Sequence, residues 1–232
     1  MIPKRIFISR PINEVGETLK NFVAQGGGLI AESLVKFESV PFLHDVTCEV
    51  IFFSSIRSAN FFFSQHPLLP VSVKYACAGP ETAEKLKNQF QISCDFIATN
   101  AGNPNESAQI FKAWLGNRHV LFPVSEQSLN SYSGILPNTQ KTERIVYRTI
   151  SNSKIISPCD LYIFSSPSNV TAYFERNELP LSAKCIAWGS STKKSLVTHQ
   201  IPVFHQLKTG TLHELDDFLF ELLSLNSATD GI

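Results

Sequence analysis

The sequence predicts an α/β protein built from two similar units, each with a parallel sheet. Strand-length apolar segments alternate with helix-like segments along almost the whole chain, which is typical of parallel sheets covered on both faces. Two separate motifs recur at a nearly constant offset, which indicates an internal duplication. Apolar residues are 43% and charged residues 17% of the 232 residues, enough for the packed core of one large or two small domains.

The first half of the chain carries five predicted strands. They are expected at Arg5–Ser9, Leu29–Val35, Glu49–Phe53, Lys74–Ala78 and Ser93–Ala98. The first predicted helix, Asn13–Ala24, places Leu19 and Phe22 on one face, and a run of glycines ends it. Further helices fit at about Ile56–Ser64, Glu81–Asn88 and Glu106–Leu115.

The second half repeats this alternation with five more strands. They are expected at His119–Pro123, Arg144–Ile150, Asp160–Phe164, Lys184–Trp188 and Pro202–His205. The last helix, Leu212–Leu223, carries Leu215, Leu219 and Leu222 on one side. The ten strands divide evenly into five and five.

The duplication is visible in two pairs of segments. VIFFSSIRSANFFF (50–63) resembles YIFSSPSNVTAYF (162–174), and Ser54 and Ser55 pair with Ser165 and Ser166 at an offset of 111. ACAGPETAEKL (76–86) resembles IAWGSSTKKSL (186–196) at an offset of 110, which pairs Gly79 and Thr82 with Gly189 and Thr192. A nearly equal offset in two separate motifs indicates two similar α/β units.

Charge and cysteine content exclude several classes of partner. The chain has 20 basic and 20 acidic residues, which argues against nucleic acid or an anionic membrane as a partner. Five scattered cysteines without a C-x-x-C motif are typical of reduced thiols in the cytoplasm. The first residues lack the pattern of a signal peptide, and no apolar run approaches the roughly 18 residues of a membrane span.

Each repeated motif lies where a strand is expected to end and a helix to begin. Serine and threonine at such positions often serve only as helix caps. Ligands of parallel sheets, however, bind beyond the carboxyl ends of the strands. Free N–H groups there bind carboxylates or phosphates without a basic side chain. Dinucleotide, P-loop, metalloprotease and G-x-S-x-G motifs are missing and the six histidines are dispersed, so neither metal nor triad chemistry is supported.

In their order and spacing, these motifs resemble the uroporphyrinogen-III synthase family. The matching segments are IFISRP (6–11), FFSSIRSANFF (52–62), ACAGPETAEKL (76–86), FSSPSNVTAYF (164–174), IAWGSSTKKSL (186–196) and KTGTLHELDDFL (208–219). The resemblance implies two flavodoxin-like parallel-sheet α/β domains joined by a two-stranded β-ladder, with the active site in the cleft between them. It places one domain at 1–38 plus 150–232 and the other at 39–149, with crossovers near 36–42 and 146–150.

The activity that the resemblance implies is closure of hydroxymethylbilane into uroporphyrinogen III, with inversion of the last pyrrole and loss of water. This step belongs to haem, sirohaem and cobalamin biosynthesis. The implied route passes through an azafulvene and a spiro intermediate, so the enzyme mainly positions a flexible substrate. The resemblance also implies a cytoplasmic monomer without metal or cofactor, which can receive its linear tetrapyrrole from hydroxymethylbilane synthase.

Site residues follow from the same resemblance. Donors to the substrate carboxylates are expected at Arg10, Ser54, Ser55, Gly79, Thr82, Ser125, Ser128, Ser165, Ser166, Ser168, Gly189, Thr192 and Thr209. Gly79 and Gly189 would allow close approach of the backbone. Some family members carry a tyrosine after the S-P-S turn that assists departure of the hydroxyl. The ungapped match puts Ala172 at that position, and Tyr173 is the neighbouring candidate for catalysis.

One segment departs from the family pattern and leaves alternatives open. LFPVSEQSLNSY (121–132) lacks the glycine-rich turn and the arginine that many members have after the sixth strand, and Ser125 and Ser128 would replace a charged contact. The chain can therefore also be a catalytically weakened member that binds a tetrapyrrole or another polyanion. A third reading, a two-domain protein that closes on a small solute, is disfavoured by the lack of a signal sequence.

Overall fold

The computed structural model describes residues 3–43, 46–98, 104–128 and 131–224, with the backbone alone for residues 104 and 105. The chain divides into two units. Unit 1 consists of Met1–Lys36 and Ile150–Ile232, and unit 2 is the continuous segment Phe37–Thr149. The chain therefore leaves unit 1 once and returns to it once.

Helices and strands alternate in the order that the sequence predicts. The strands are β1 (Arg5–Ile8), β2 (Gly28–Ala31), β3 (Val35–Ser39), β4 (Val50–Phe53), β5 (Lys74–Cys77), β6 (Phe96–Ile97), β7 (Val120–Ser125), β8 (Lys141–Ser151), β9 (Leu161–Phe164), β10 (Lys184–Ala187) and β11 (His205–Gln206). The α-helices are α1 (Glu17–Ala24), α2 (Ile56–Phe63), α3 (Pro80–Phe90), α4 (Pro104–Leu115), α5 (Pro167–Phe174), α6 (Ser190–Thr198) and α7 (Leu212–Ser224).

The two sheets have the same spatial arrangement of strands but different chain orders. Unit 1 has the order β11-β10-β9-β1-β2, and unit 2 has β6-β5-β4-β7-β8 followed by β3. The neighbouring strands in these two five-strand series pair in parallel. Read along the chain, unit 1 has the flavodoxin order 2-1-3-4-5 and unit 2 has the permuted order 3-2-1-4-5. The predicted duplication and fold class are confirmed.

The connections between the units are strands rather than loops. The chain passes into unit 2 within β3 and returns within β8, and these two strands are neighbours at one side of the six-stranded sheet. This is the two-stranded ladder that the family resemblance implies.

Each sheet is covered by helices on both faces, because its central strands are apolar on both sides. In unit 1, α1 and α7 pack on one face, while α5 brings Tyr173 against Phe7, Tyr162 and Phe164 on the other. In unit 2, α2 and α3 cover one face and α4 covers the other. The helices cover the faces of the sheets, and the connecting turns lie at the ends of the strands.

A third repeated turn, not recognised in the sequence, strengthens the duplication. LPVSVK (69–74) precedes β5 and LPLSAK (179–184) precedes β10, again at an offset of 110. In each turn a backbone N–H bonds back to the proline carbonyl, at 3.2 Å to Pro70 and 2.9 Å to Pro180. The apolar tips of the two turns, Val71 and Leu181, are fully exposed.

Some predicted elements are wrong in detail. The expected strand Leu29–Val35 is two strands, because the Ser33 hydroxyl bonds to Val35 N and O and the Leu34 N–H bonds to a side chain instead of a ladder partner. The expected even split of ten strands is therefore wrong, since the sheets have five and six. The first helix begins at Glu17 and not at Asn13. The Asp216 carboxylate accepts a hydrogen bond from the Glu17 N–H at 3.2 Å.

Two further strands, one in each unit, are shorter than expected or shifted. Expected at Pro202–His205, β11 occupies His205–Gln206 and pairs with Ile186 and Ala187. Proline has no N–H to donate to a ladder, which disfavours the earlier start. The expected strand Ser93–Ala98 is reduced to Phe96–Ile97. Leu129 and Asn130, in the predicted turn 121–132, lie outside the described residues.

Candidate functional site

The carboxyl ends of the parallel strands bring the predicted site residues of each unit to one sheet edge. In unit 1 this edge, called here edge 1, consists of Ser9–Arg10, Ser165–Asn169, Trp188–Gly189 and Lys208–Gly210. In unit 2 it is called edge 2 and consists of Ser54–Ser58, Ala78–Thr82 and Ser125–Ser128. Ligands of open parallel sheets bind at such edges, so each edge is a candidate binding surface.

At edge 1 the serine turn is held by its own hydrogen bonds. The Ser165 hydroxyl donates to the carbonyl oxygen of Ser9 at 2.8 Å, and the Ser9 hydroxyl accepts from Ser165 N at 2.7 Å. Ser166 is the N-cap of α5 and accepts from Asn169 N at 3.3 Å, and its hydroxyl lies 3.0 Å from that of Ser168. Ser165 and Ser166 therefore first shape the turn.

Asn169 is a site residue that the sequence analysis missed. Its amide nitrogen donates to the Ser166 hydroxyl at 3.0 Å, and its carbonyl oxygen accepts from Leu34 N at 2.8 Å in a buried bond. Asn169 thus ties α5 to the segment between β2 and β3. An amide three residues after an N-cap serine was the available signal, because side chains at that position commonly complete a capping box.

The serine turn of edge 2 leaves one hydroxyl exposed. Ser55 is the N-cap of α2 and accepts from Ser58 N at 3.3 Å, while the Ser58 hydroxyl donates to the Ser55 carbonyl oxygen at 2.8 Å. Ser54 corresponds to Ser165 but is exposed, and its hydroxyl makes no hydrogen bond within the described part of the chain. Among the repeated serines, Ser54 is the one most open to a ligand.

Arg57 is a second residue that the sequence analysis missed, although it lies in the motif FSSIR. It is exposed in the first turn of α2, where a positive charge is unfavourable to the helix dipole. Its guanidinium lies 3.7 Å from the ring centroid of Phe37 and has no carboxylate partner among the residues that the structure describes. A cation at this place favours binding of an anion.

The two glycine turns keep space open in front of helices α3 and α6. Gly79 and Gly189 are the N-caps of these helices and are extended, with φ of 174° and −175°, a conformation that any residue adopts. A Cβ at either position would meet no atom within 4 Å. Neither backbone conformation nor packing requires glycine at these two positions. What glycine provides here is the absence of a side chain, which leaves the helix N–H groups accessible.

The threonines of the glycine turns differ in accessibility. Thr82 in α3 is half-buried, whereas Thr192 in α6 is only 2% exposed. Thr192 is therefore buried in unit 1 and offers little surface at edge 1. Their equal spacing in the sequence did not reveal this difference.

Arg10 and Trp188 form a stacked pair at edge 1. The guanidinium carbon of Arg10 lies 4.1 Å from the centroid of the Trp188 ring, and Glu14 approaches the guanidinium at 4.0 Å. The indole N–H of Trp188 donates to the carbonyl oxygen of Gly210. The pair therefore connects the turns after β1, β10 and β11.

The turn after β11 already holds a carboxylate of the same chain. Glu214 accepts from the N–H groups of Lys208, Thr209 and Gly210 at 2.6, 2.8 and 3.1 Å and from the Thr209 hydroxyl at 2.7 Å. Burial would raise the pKa of Glu214, but these donors outweigh it and lower the pKa to about 2. Thr209, predicted to bind substrate, donates to Glu214 instead. The N-terminus of α7 is capped by Thr211, whose hydroxyl accepts from Glu214 N at 3.2 Å and lies 3.1 Å from the Thr209 hydroxyl.

The turn after β7 holds the two serines that were expected to replace an arginine. Ser125 ends β7 at a register irregularity, where the neighbouring N–H of Glu126 donates to the carbonyl oxygen of Tyr147 at 3.0 Å. Ser128 N donates to the Ser125 carbonyl oxygen at 3.1 Å. Both serines are half-buried at edge 2.

Tyr173 lies in the core of unit 1 and not at its edge. It is fully buried, its hydroxyl donates to the carbonyl oxygen of Glu178 at 3.2 Å, and burial raises its pKa. Phe62, which corresponds to Tyr173 in unit 2, is equally buried. The prediction that Tyr173 acts in catalysis has no support from this position, because one residue along a helix turns a side chain by about 100°. Ala172 is buried as well.

In the described ranges no helix is long and apolar enough to cross a membrane, and no three His, Cys, Asp or Glu side chains lie together as metal ligands would.

Comparison with known proteins shows which family and which solved structures this chain resembles. A family model described as uroporphyrinogen-III synthase HemD matches residues 19–215. The crystal structure of uroporphyrinogen-III synthetase from Helicobacter pylori is similar with a TM-score of 0.70 at 16% identity, over 94% of this chain and 99% of that one. A mutant uroporphyrinogen III synthase from the extremely thermophilic bacterium Thermus thermophilus is similar with a TM-score of 0.57 at 13% identity, over 95% and 99%. No curated protein matches the sequence significantly.

Proposed function

Because the chain belongs to the uroporphyrinogen-III synthase family, we propose that it closes hydroxymethylbilane into uroporphyrinogen III. Members of this family are cyclising lyases that work without a cofactor. The reaction inverts the last pyrrole and releases water. The product would serve haem, sirohaem or cobalamin biosynthesis.

The observation that carries this proposal is the repeated set of donors at edges 1 and 2. The substrate is a flexible chain with a carboxylate on every side arm. Helix N–H groups at Gly79 and Gly189 are suited to such carboxylates, as are the Ser54 hydroxyl and the two guanidinium groups of Arg10 and Arg57. We propose that each unit binds its own share of the carboxylates.

Catalysis by such a surface is mainly positional. The released water comes from the terminal hydroxymethyl group, and the resulting azafulvene cation is attacked by a pyrrole carbon. Holding the substrate so that a single carbon is within reach selects the product isomer. We therefore assign the donors of edges 1 and 2 to binding and orientation. Tyr173 has no part in this proposal.

The proposed donors are not equivalent. Ser54, Gly79, Gly189, Arg10 and Arg57 are presented at the edges. By contrast, Ser55, Ser165, Ser166 and Thr209 already serve the turns that carry them, and their replacement would disturb the fold as well as binding. Ser125, Ser128, Ser168 and Thr82 complete the proposed set, whereas the buried Thr192 is left out.

A second candidate function is a binding module that has lost turnover. The observation that favours it is the segment 121–132, where half-buried serines stand in place of the family's arginine. Both candidates predict binding of a tetrapyrrole, so turnover is what separates them.

We also propose that the protein is a cytoplasmic monomer that receives hydroxymethylbilane from its synthase. The cytoplasmic location agrees with the five free cysteines of the chain.

The test is a coupled assay with freshly generated hydroxymethylbilane, in which uroporphyrin isomers I and III are resolved after oxidation. Isomer III in proportion to the enzyme concentration is expected for the synthase. Isomer I alone, from a folded protein, would contradict the synthase and support the binding module.

Ser54→Ala tests the donor role at edge 2. We expect a rise in KM of about 3- to 10-fold, which corresponds to the net value of one ordinary hydrogen bond, about 0.7–1.4 kcal/mol. Ser64→Ala is the matched control, because Ser64 lies exposed at the other end of α2 and its hydroxyl donates to the Phe61 carbonyl oxygen at 3.1 Å. Equal effects of the two variants would argue against binding at edge 2.

A further inference from the structure

The stacked pair of Arg57 and Phe37 belongs to the part of unit 2 that is not duplicated. At the offset of 111, Arg57 corresponds to Ser168 in unit 1. Phe37 lies on β3, the sixth strand of the sheet in unit 2, whereas the five-stranded sheet of unit 1 ends at β2, in the position of β8. Both partners are therefore additions to the duplicated frame, and the fold that the two units share does not require their contact.

We propose that Phe37 is a positioning residue that holds the Arg57 guanidinium at edge 2 for a carboxylate of the substrate. This inference rests on the proposed function and names β3 as the element that supports the charged point of edge 2. Phe37 acts through Arg57 and takes no part in the chemistry.

Helix α2 presents two side chains to the ladder of β3 and β8. Arg57 and Phe61 are four residues apart, so they lie on one face of α2. The Arg57 guanidinium lies 3.7 Å from the ring centroid of Phe37, and the Phe61 ring is stacked on Tyr147 with centroids 5.1 Å apart. Phe37 and Tyr147 meet edge to face at 6.0 Å. The ring beneath Arg57 is thus held by a neighbour that α2 itself contacts.

The strand that carries Phe37 is also fixed to β8. Val40 N donates to the Val146 carbonyl oxygen at 2.9 Å, and the Arg148 guanidinium donates to the Glu38 carboxylate at 3.0 and 3.2 Å. Successive side chains of a strand point to opposite faces, so Glu38 lies on the face away from Phe37. The carboxylate next to Phe37 in the sequence is therefore paired elsewhere and does not occupy Arg57.

The arginine is suited to an incoming carboxylate. Within the described ranges its guanidinium has no carboxylate partner. Stacking on an aromatic face leaves the N–H groups at the rim of a guanidinium directed outward, where they form bidentate pairs with carboxylates. A positive charge in the first turn of α2 is unfavourable to the helix dipole, so helix stability does not explain it. Stacking also restricts the rotamers of Arg57 before binding, which reduces the entropy lost when the carboxylate arrives.

A second phenylalanine under a cation provides a matched control. In unit 1 the Lys184 ammonium lies 4.4 Å from the ring centroid of Phe204, which is 44% exposed. Lys184 begins β10 and Phe204 directly precedes β11, so this pair lies at the amino ends of the strands. Edge 1 lies at their carboxyl ends, and the control pair is therefore outside the proposed binding surface.

The experiment measures KM and kcat for isomer III in a double-mutant cycle of Arg57→Met and Phe37→Leu. We expect Arg57→Met to raise KM about 10-fold or more, because a charge-assisted contact is lost. Phe37→Leu should raise KM about 3- to 10-fold, the cost of immobilising one flexible side chain on binding, and change kcat less than about twofold. In the Arg57→Met background Phe37→Leu should leave KM unchanged. Phe204→Leu should change KM less than about twofold in either background.

Two further variants make the test independent of the folding of the leucine variant. Phe37→Tyr keeps the aromatic face and should have a KM within about twofold of the wild type. Phe37→Met fills a similar space without a ring and should behave as Phe37→Leu does. Equal effects of the tyrosine and methionine variants would overturn the positioning role.

The remaining outcomes separate the inference from the proposed function. No effect of Arg57→Met, or equal effects of Phe37→Leu with and without Arg57, would overturn the positioning role alone. Equal effects of Phe37→Leu and Phe204→Leu would do the same. A wild-type protein that forms only isomer I would overturn the proposed function and this inference with it.

Discussion

Tyr173→Phe removes one buried hydroxyl from unit 1. The Tyr173 hydroxyl donates to the Glu178 carbonyl oxygen at 3.2 Å, while the neighbouring Tyr162 hydroxyl accepts from the backbone N–H of Cys159 at 2.9 Å. Phenylalanine keeps the ring and its packing. The substitution therefore separates a role of the hydroxyl in catalysis from a role in stability.

The cost in free energy of unfolding follows from the groups that lose a partner. Glu178 is exposed, so its carbonyl oxygen can bind water instead. The Tyr162 hydroxyl keeps its bond to the Cys159 N–H. The substitution therefore removes one hydrogen bond, whose net contribution is typically about 0.5–1.5 kcal/mol. Because the bond to Glu178 is long for an O–H donor, we expect a loss of about 0.5–1 kcal/mol, which leaves the protein folded.

The two tryptophans allow the effect to be assigned to one unit. Trp188 lies in unit 1 and Trp114 in unit 2, and the sequence contains no other tryptophan. In a Trp114→Phe background, fluorescence during urea unfolding reports on unit 1, and we expect Tyr173→Phe to lower the midpoint by about 0.3–0.5 M. In a Trp188→Phe background the midpoint should not change.

The isomer-resolved assay completes the test, and we expect kcat for isomer III to stay within about twofold of the wild type. A general acid typically contributes about 100-fold or more. A fall of that size with an unchanged urea midpoint would refute the reasoning and return Tyr173 to the active site.

Three further predictions concern other residues. Gly189→Ala should raise KM about threefold or more, because a methyl group enters the open space before α6, while the melting temperature falls only slightly; a normal KM would contradict binding at this turn. Glu214→Gln should destabilise the protein at pH 7. Since the folded-state pKa of Glu214 is about 2, below its usual 4.5, the difference in melting temperature from the wild type should persist above pH 4.5 and vanish as the pH falls toward 2; a difference independent of pH would contradict the carboxylate's role. Burial raises the pKa of Cys185 to about 12 and the pKa values of Cys48 and Cys159 to about 11. Alkylation of these thiols at pH 8, measured by mass spectrometry, should therefore be slow until the protein unfolds. Rapid labelling of the native protein would contradict the burial of these cysteines.

Local patterns in the sequence were sufficient for most of the frame. Apolar strands followed by serine or glycine turns predict strand-to-helix connections, because caps and periodicity depend on neighbours within a few residues. The constant offset of the two motifs likewise identified the duplication, and the sheets confirm it. The element that local reasoning missed is β3, which is separated from β2 by a serine that bonds to its own backbone.

The state of each candidate donor was decided by tertiary structure. Ser54 and Ser165 are equivalent in the sequence, yet Ser165 is bonded to Ser9, which lies 156 residues away, while Ser54 is exposed. Tyr173 was placed in the core by its position on the face of α5 that meets the sheet.

The sequence by itself thus determined the fold class, the duplication and the turns at which donors lie, because these depend on short-range periodicity and capping. Only the tertiary structure decided which donors remain accessible. Ser165 is engaged by Ser9 from another strand, and Arg10 is stacked on Trp188. Such contacts join residues that are far apart in the chain, and no local pattern encodes them.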